Sequence, residues 1–156
     1  RRGGAPSDQV ENAIMGTPAR SDLALASQAV VPHMAPACGG SIINLSSIAA
    51  LRVYPPASTG YATSKAAIIG LTVALAGQLG NRRIRVNCIA PGWIMTERQL
   101  KEYVTPAVKR QIRAAQCIPD LIQPEEVADV ALFLASDASR AVTGQHFVVD
   151  RGWVHE

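Results

Sequence analysis

From Gly39 to Ser47 the chain reads G-G-S-I-I-N-L-S-S, and from Ser47 to Lys65 it continues S-I-A-A-L-R-V-Y-P-P-A-S-T-G-Y-A-T-S-K. The first part is a glycine turn followed by a short apolar run of strand length, with hydroxyls at its carboxyl end. After a loop broken by Pro55-Pro56, a helical pattern capped by Ser58 or Thr59 runs to about Leu79 and is closed by Gly80-Asn81. In parallel α/β sheets the ligand crevice lies at the carboxyl ends of the strands, so Ser47 falls where chemistry is placed. Tyr61 and Lys65 lie four residues apart, and a helix sets such a pair one above the other on one face. An ammonium beside a phenol favours the phenolate, which makes Tyr61 a candidate proton donor and acceptor. Y-x-x-x-K alone is common on solvated helices; its position one loop after Ser47 singles it out.

Further along, Ile84 to Ala90 reads as a buried strand ended by Pro91-Gly92, a turn that cannot continue a ladder. A last strand is expected near 146–149, after the turn at Val142-Thr143-Gly144. Three helical segments complete the pattern. Leu23 to Met34 has Ser21 or Asp22 as N-cap and a kink at Pro32. Thr105-Pro106 opens a helix through Gln116. Pro124-Glu125-Glu126 opens another, whose carboxylates suit the helix dipole and whose Val127, Val130, Ala131, Leu132, Leu134 and Ala135 are expected to pack inward. The fold class is therefore α/β, with strands at about 41–46, 84–90 and 146–149.

With 156 residues, 48% hydrophobic and 17% charged, the chain can bury a sizeable core. The net charge of +3 comes from scattered basic residues, apart from Arg82-Arg83 and Lys109-Arg110, which gives no footprint for nucleic acid. No unbroken apolar run approaches the ~18 residues of a membrane span, and no signal-peptide core is present, so a cytoplasmic protein is expected. Cys38, Cys88 and Cys117 are expected to be free thiols, and His33, His146 and His155 have no ligand spacing, so no metal site is expected. Residues 1–22 mix Gly, Pro, Arg, Ser and Asp without a period, and are expected to be poorly ordered.

The ordered set N-L-S-S at 44–47, Y-A-T-S-K at 61–65, R-V-N-C-I-A-P-G-W-I-M-T at 85–96 and D-R-G-W at 150–153 resembles the short-chain dehydrogenases/reductases. The resemblance runs from Leu23 to the C-terminus and gives no match for 1–22. It implies the C-terminal part of a doubly wound, Rossmann-like parallel sheet with helices on both faces, whose first strand here has an unpaired edge. It also implies that Ser47 polarises a carbonyl or hydroxyl, Tyr61 exchanges the proton, and Lys65 favours the phenolate and holds the nicotinamide ribose of NAD or NADP. Pro91, Gly92, Ile94 and Thr96 would line the nicotinamide, Trp93 would sit at the substrate mouth, and Glu97 to Asp120 would close over a small alcohol or carbonyl substrate. This last segment is similar to the aldose 1-dehydrogenases, and Arg98, Gln99 and Gln116 suit a polyol, each of whose hydroxyls wants a partner. The 60–80 helix would pack on a symmetry mate in a homo-oligomer.

Departures from the family pattern are equally definite. A supporting asparagine is expected at or near Ala19, Ala50 stands where glycine is common, and no Gly-rich phosphate loop follows a strand. Arg151 stands where the family prefers glycine; a positive φ there would cost about 1 kcal/mol. Two functions follow as expectations: an oxidoreductase acting on a sugar or other secondary alcohol, impaired by truncation, or a non-catalytic fragment that only associates with related subunits. A ketoacyl or hydroxysteroid reductase is the alternative among active enzymes. The residue that meets the ribose 2′ position is not in the chain, which leaves NAD and NADP both open.

Overall fold

The computed structural model describes residues 22–34, 39–52 and 59–154. Expectations for residues 1–21, for Cys38, Pro55-Pro56, Ser58 and for His155 lie outside the described residues. The elements are α1 (Asp22–Val30), β1 (Gly40–Leu45), α2 (Thr59–Leu79), β2 (Ile84–Pro91), α3 (Glu97–Glu102), α4 (Pro106–Ala115), α5 (Pro124–Ala135) and β3 (His146–Val149), with short 3-10 turns between several of them. The strands form one parallel sheet in the order β1-β2-β3, with Leu45 opposite Ile89 and Cys88 opposite His146. Both outer strands have one edge without a strand partner among the described residues.

Side chains alternate across a sheet, so each strand serves two helices at once. Ile42, Ile84 and Val86 pack with Leu75, Ala76 and Leu79 of α2, and with Ala24 and Val31, in the main core. On the same face the buried Asn44 donates from Nδ2 to Thr72 Oγ1 at 2.9 Å. Each fully buried aliphatic side chain in this layer contributes about 1.5–3 kcal/mol. The opposite face receives α5. Arg85 Nη1 donates to Leu134 O and Ser139 Oγ, both at 2.8 Å, its Nη2 donates to Ser136 O at 3.2 Å, and Ser41 Oγ donates to Leu134 O at 2.8 Å. A guanidinium therefore satisfies the carbonyls that the end of α5 would otherwise leave orphaned.

Several expectations are corrected. The first helix does not kink at Pro32 but ends at Val30, because proline lacks the N–H that an α-turn requires; Pro32 instead opens a 3-10 turn over Val31–His33. α2 ends at Leu79 and continues as a 3-10 turn, and the left-handed residue that closes it is Arg83 (φ 58°), not a glycine. On α5, Leu134 is fully buried, whereas Leu132 is 70% exposed and Ala135 is exposed, since the two lie on the side of the helix away from the sheet. Finally, Thr59–Arg82 holds no unbroken apolar run of membrane-span length, yet by length and mean composition it is long and apolar enough to cross a membrane. Its Ala, Ile, Leu and Val residues raise the mean hydropathy, while the interspersed Gly, Thr and Ser keep any aliphatic run short. Only 28% of its most apolar window is buried within this chain.

At the start of α5 the Gln123 N–H donates to Glu126 Oε2 at 2.8 Å, the carboxylate half of a capping box, and Arg151 Nη2 donates to Glu126 Oε1 at 2.6 Å. The Gln123 N–H first, and then the guanidinium, hold the Glu126 carboxyl below its ordinary value of 4.5. A depressed carboxylate contributes stability that is complete above the ordinary value and is lost as pH falls through the folded one. Glu126→Gln is therefore expected to lower the urea midpoint at pH 7, and the two unfolding curves should converge as the pH is taken well below 4.5. A constant offset down to pH 3 would show that the carboxylate charge contributes nothing.

Candidate active site

β1 ends at Leu45, and Ser46 extends its pairing by one bond, its N–H donating to Ile89 O at 2.8 Å. Ser46 is buried, and its Oγ donates to Lys65 O at 2.7 Å, which fastens the second turn of α2 to the end of the strand. Ser47 then adopts an extended backbone and caps a 3-10 turn over Ile48–Ala50, its Oγ accepting from Ala49 N at 3.2 Å. A hydroxyl that accepts in this way keeps its own hydrogen to donate. On α2, Lys65 Nζ lies 5.7 Å from the centroid of the Tyr61 ring and donates to Leu45 O at 3.1 Å. Tyr61 is 46% exposed, so its phenol stands at the rim of the site. The expected trio therefore gathers where β1 leaves the sheet. Lys65 is the hinge between its members, in contact with the tyrosine ring and with the strand that presents Ser47.

Ser46 was not singled out from the sequence, although the doubled serine is its only signal. Ser46→Ala removes one hydroxyl bond and is expected to cost about 0.5–1.5 kcal/mol in urea unfolding, with the sheet otherwise intact. Unchanged stability would mean that the Lys65 carbonyl is served as well by its helix alone. Beneath this layer Cys88 is fully buried, and burial pushes its thiol up against the smaller opposing effects of Ser46, Thr72 and Lys65. It is a neutral core thiol without nucleophilic character at pH 7.

The second half of the site forms where β2 ends. Gly92 N donates to Val149 O at 2.9 Å, and a Cβ on Gly92 would lie 2.8 Å from Asp150 Cβ. Asp150 is buried and accepts from Gly152 N at 2.8 Å and Val154 N at 2.6 Å, which folds the C-terminal turn back under the strand ends. Ile94 forms an isolated parallel bridge with Ile122, and Met95 N donates to Ile122 O at 2.9 Å. Thr96 caps α3, its Oγ1 accepting from Gln99 N at 3.3 Å. Trp93 donates from Nε1 to Gln99 Oε1 at 3.0 Å and stacks on Trp153 with centroids 6.5 Å apart. Arg98, expected as one of the polar groups suited to a polyol, makes an exposed pair with Glu102 at 3.1 Å. Gln116 is buried at the end of α4.

Arg151 adopts φ 56°, the left-handed conformation that its glycine-preferring position suggested. Its side chain reaches Glu126 at 2.6 Å and Asp120 at 3.7 Å, ion pairs that offset part of the backbone cost. Among the described residues no group of three or more His, Cys, Asp or Glu side chains could hold a metal ion.

The sequence profile of the enoyl-(acyl carrier protein) reductase family matches residues 7–154, beginning upstream of Leu23 where the motif resemblance begins. The chain belongs to the short-chain dehydrogenases/reductases. Among its relatives, the probable galactose dehydrogenase GalD of Rhizobium meliloti is 46% identical over 125 residues, 80% of this chain and 48% of that protein. The D-xylose 1-dehydrogenase of Caulobacter vibrioides is 46% identical over 126 residues, 81% of this chain and 50% of that protein. The 3-oxoacyl-[acyl-carrier-protein] reductase FabG of Chlamydia trachomatis is 44% identical over 124 residues, 80% of this chain and 49% of that protein. Among solved structures, a 3-oxoacyl-[acyl-carrier protein] reductase from Brucella melitensis superposes with TM-score 0.76 at 39% identity, over 85% of this chain and 50% of that one. A 7α-hydroxysteroid dehydrogenase complexed with NADH and 7-oxo glycochenodeoxycholic acid superposes with TM-score 0.76 at 40% identity, over 85% of this chain and 51% of that one. This short-chain dehydrogenase/reductase thus spans about half the length of the curated relatives it matches.

The family is one of NAD(P)-dependent oxidoreductases, and the residues present fit the nicotinamide end of such a cofactor. One of the three ammonium donors of Lys65 goes to Leu45 O, which leaves two for ribose hydroxyls. The Thr96 hydroxyl accepts from Gln99 N and retains its hydrogen for a donor role.

Proposed function

We propose that residues 23–156 form the C-terminal, catalytic part of a Rossmann-type domain that oxidises an aldose, or a related polyhydroxylated secondary alcohol, with NAD or NADP. The observation that carries this is the convergence of Ser47, Tyr61 and Lys65 at the carboxyl end of β1, with Lys65 bonded to the strand and 5.7 Å from the tyrosine ring. The nicotinamide, when bound, supplies the acceptor for the hydride that leaves the alcohol carbon. Ser47 donates to the substrate oxygen and orients it. Tyr61, as phenolate, takes the hydroxyl proton as the C=O bond forms, and in the reverse direction returns it. Lys65 holds the ribose and stabilises the phenolate electrostatically. Pro91, Gly92, Ile94 and Thr96 line the nicotinamide, and Gln99 offers its amide to a substrate hydroxyl.

The galactose and xylose dehydrogenases among the relatives, at 46% identity, support the sugar class. The ketoacyl reductase at 44% and the 7α-hydroxysteroid dehydrogenase at 40% support a second reading, reduction of an acyl or steroid ketone. The exposed apolar part of α2, with Val73 in it, supports a homo-oligomer in which this helix meets its copy. Cys88 and Cys117 as free thiols suit a reducing cytoplasm.

The test is titration of the 156-residue chain with NAD(H) and NADP(H), followed by nicotinamide fluorescence and by thermal melting, then a substrate panel. Micromolar cofactor binding with turnover of D-xylose or D-galactose supports the proposal. Binding with turnover of only ketoacyl or steroid substrates favours the second reading. A folded sample that binds neither cofactor would leave a chain that associates with relatives but does no chemistry.

A further inference from the structure

Gln99, in the segment that follows β2, is held at both its backbone and its side chain. Its N–H donates to Thr96 Oγ1 at 3.3 Å, and its carbonyl accepts from Tyr103 N at 3.0 Å and Val104 N at 2.9 Å. Its side-chain Oε1 accepts from Trp93 Nε1 at 3.0 Å. The indole can only donate, so the amide has one orientation: oxygen toward Trp93, with the two hydrogens of Nε2 on the other side. Trp93 is itself held, by the stack on Trp153 and by packing against the Met95, Val104 and Ile112 cluster.

Position then decides what the amide can meet. The register pairs Leu45 with Ile89, so Ser46 and Ser47 leave β1 beside Ala90 and Pro91, and Trp93 leaves β2 at that same end of the sheet. Resting on the aldose reading above, we propose that Gln99 reads a substrate hydroxyl by donating from Nε2, and that Trp93 is its positioning residue, contributing no hydrogen bond to substrate. A sugar oxygen satisfies the amide. An acyl chain or steroid ring in the same place leaves it unpartnered, so the pair discriminates between the substrate classes of the family.

The protein has only two tryptophans, Trp93 and Trp153, so the indole N–H region of a nitrogen-edited NMR spectrum holds two signals and each can be followed. Gln99→Leu should move one of them in the absence of any ligand, whereas Gln99→Glu, which keeps an acceptor for the indole, should retain it. Steady-state kinetics at saturating cofactor should then show KM for D-xylose or D-galactose raised about three- to tenfold in both variants, because both lack the donor. The loss should fall on KM more than on kcat, and it should be smaller for cyclohexanol, which has no second hydroxyl to meet the amide. If Gln99→Glu retains the original aldose KM, or Gln99→Leu leaves both indole signals in place, the inference is overturned while the aldose function stands. If the unaltered chain turns over ketoacyl or steroid substrates and no aldose, the functional reading and the donor role fall together. In that case the indole spectra still report separately on the Trp93–Gln99 contact.

Discussion

Tyr61→Phe is expected to lower turnover by about 10²–10⁴-fold, the range for losing a positioned proton donor and acceptor, while leaving the fold in place. The separation of the two effects follows from the geometry. Tyr61 is 46% exposed at the rim, its ring remains in phenylalanine, and the bonds from Ser46 Oγ to Lys65 O and from Lys65 Nζ to Leu45 O still fix this corner in the variant. The check is kcat for D-xylose or D-galactose at saturating cofactor, with urea unfolding run in parallel. A kcat within threefold of the parent would remove Tyr61 from the proton path and with it the proposed mechanism. A fall in kcat accompanied by an equal loss of stability would point instead to a damaged α2 start.

What could be read in the sequence depended on whether a residue's role was set by its near neighbours. Tyr61 and Lys65 were legible because helical spacing alone brings them together, and β2 was legible because Ile84 to Pro91 is short, largely apolar and closed by Pro-Gly. Arg151 was legible as a strained position, since its backbone conformation is a local property. Roles that depend on distant partners were hidden. Ser46 matters through a carbonyl nineteen positions away, and Arg85 through the end of a helix about fifty positions away. Gln99 and Trp93 were each expected at the substrate, but nothing in their spacing announced that one would be bonded to the other. Leu132 misled for the opposite reason. Its apolar character suggested the core, yet the helix rotation that buries Leu134 carries Leu132 outward. The same limit applies to α2, whose composition alone cannot tell a helix buried in its own chain from one that keeps an apolar surface for another.

Gly92→Ala is expected to destabilise the protein by about 1–3 kcal/mol, the cost of forcing a methyl group into packed surroundings. The added carbon would lie 2.8 Å from Asp150 Cβ and 3.0 Å from its Cα, so the atoms that must give way include backbone and cannot swing aside. Relief requires the ends of β2 and β3 to part, which lengthens the 2.9 Å bond from Gly92 N to Val149 O. Asp150 is displaced with them, and its carboxylate is the acceptor for Gly152 N and Val154 N that holds Trp153 in place beside Trp93. The loss should therefore be visible twice, as a lower urea midpoint and as a change in the fluorescence of the tryptophan pair. Gly77→Ala provides the contrast. It sits in α2 with nothing within 4 Å of its would-be Cβ, and there the same substitution should stabilise by about 0.5–1 kcal/mol through helix propensity. Opposite signs for the two variants would establish that the penalty at Gly92 comes from the close approach of the strand ends. Equal and small effects would mean that β2 and β3 do not meet this closely in solution, and that the β2 side of the site is less firmly built than its serine and tyrosine side.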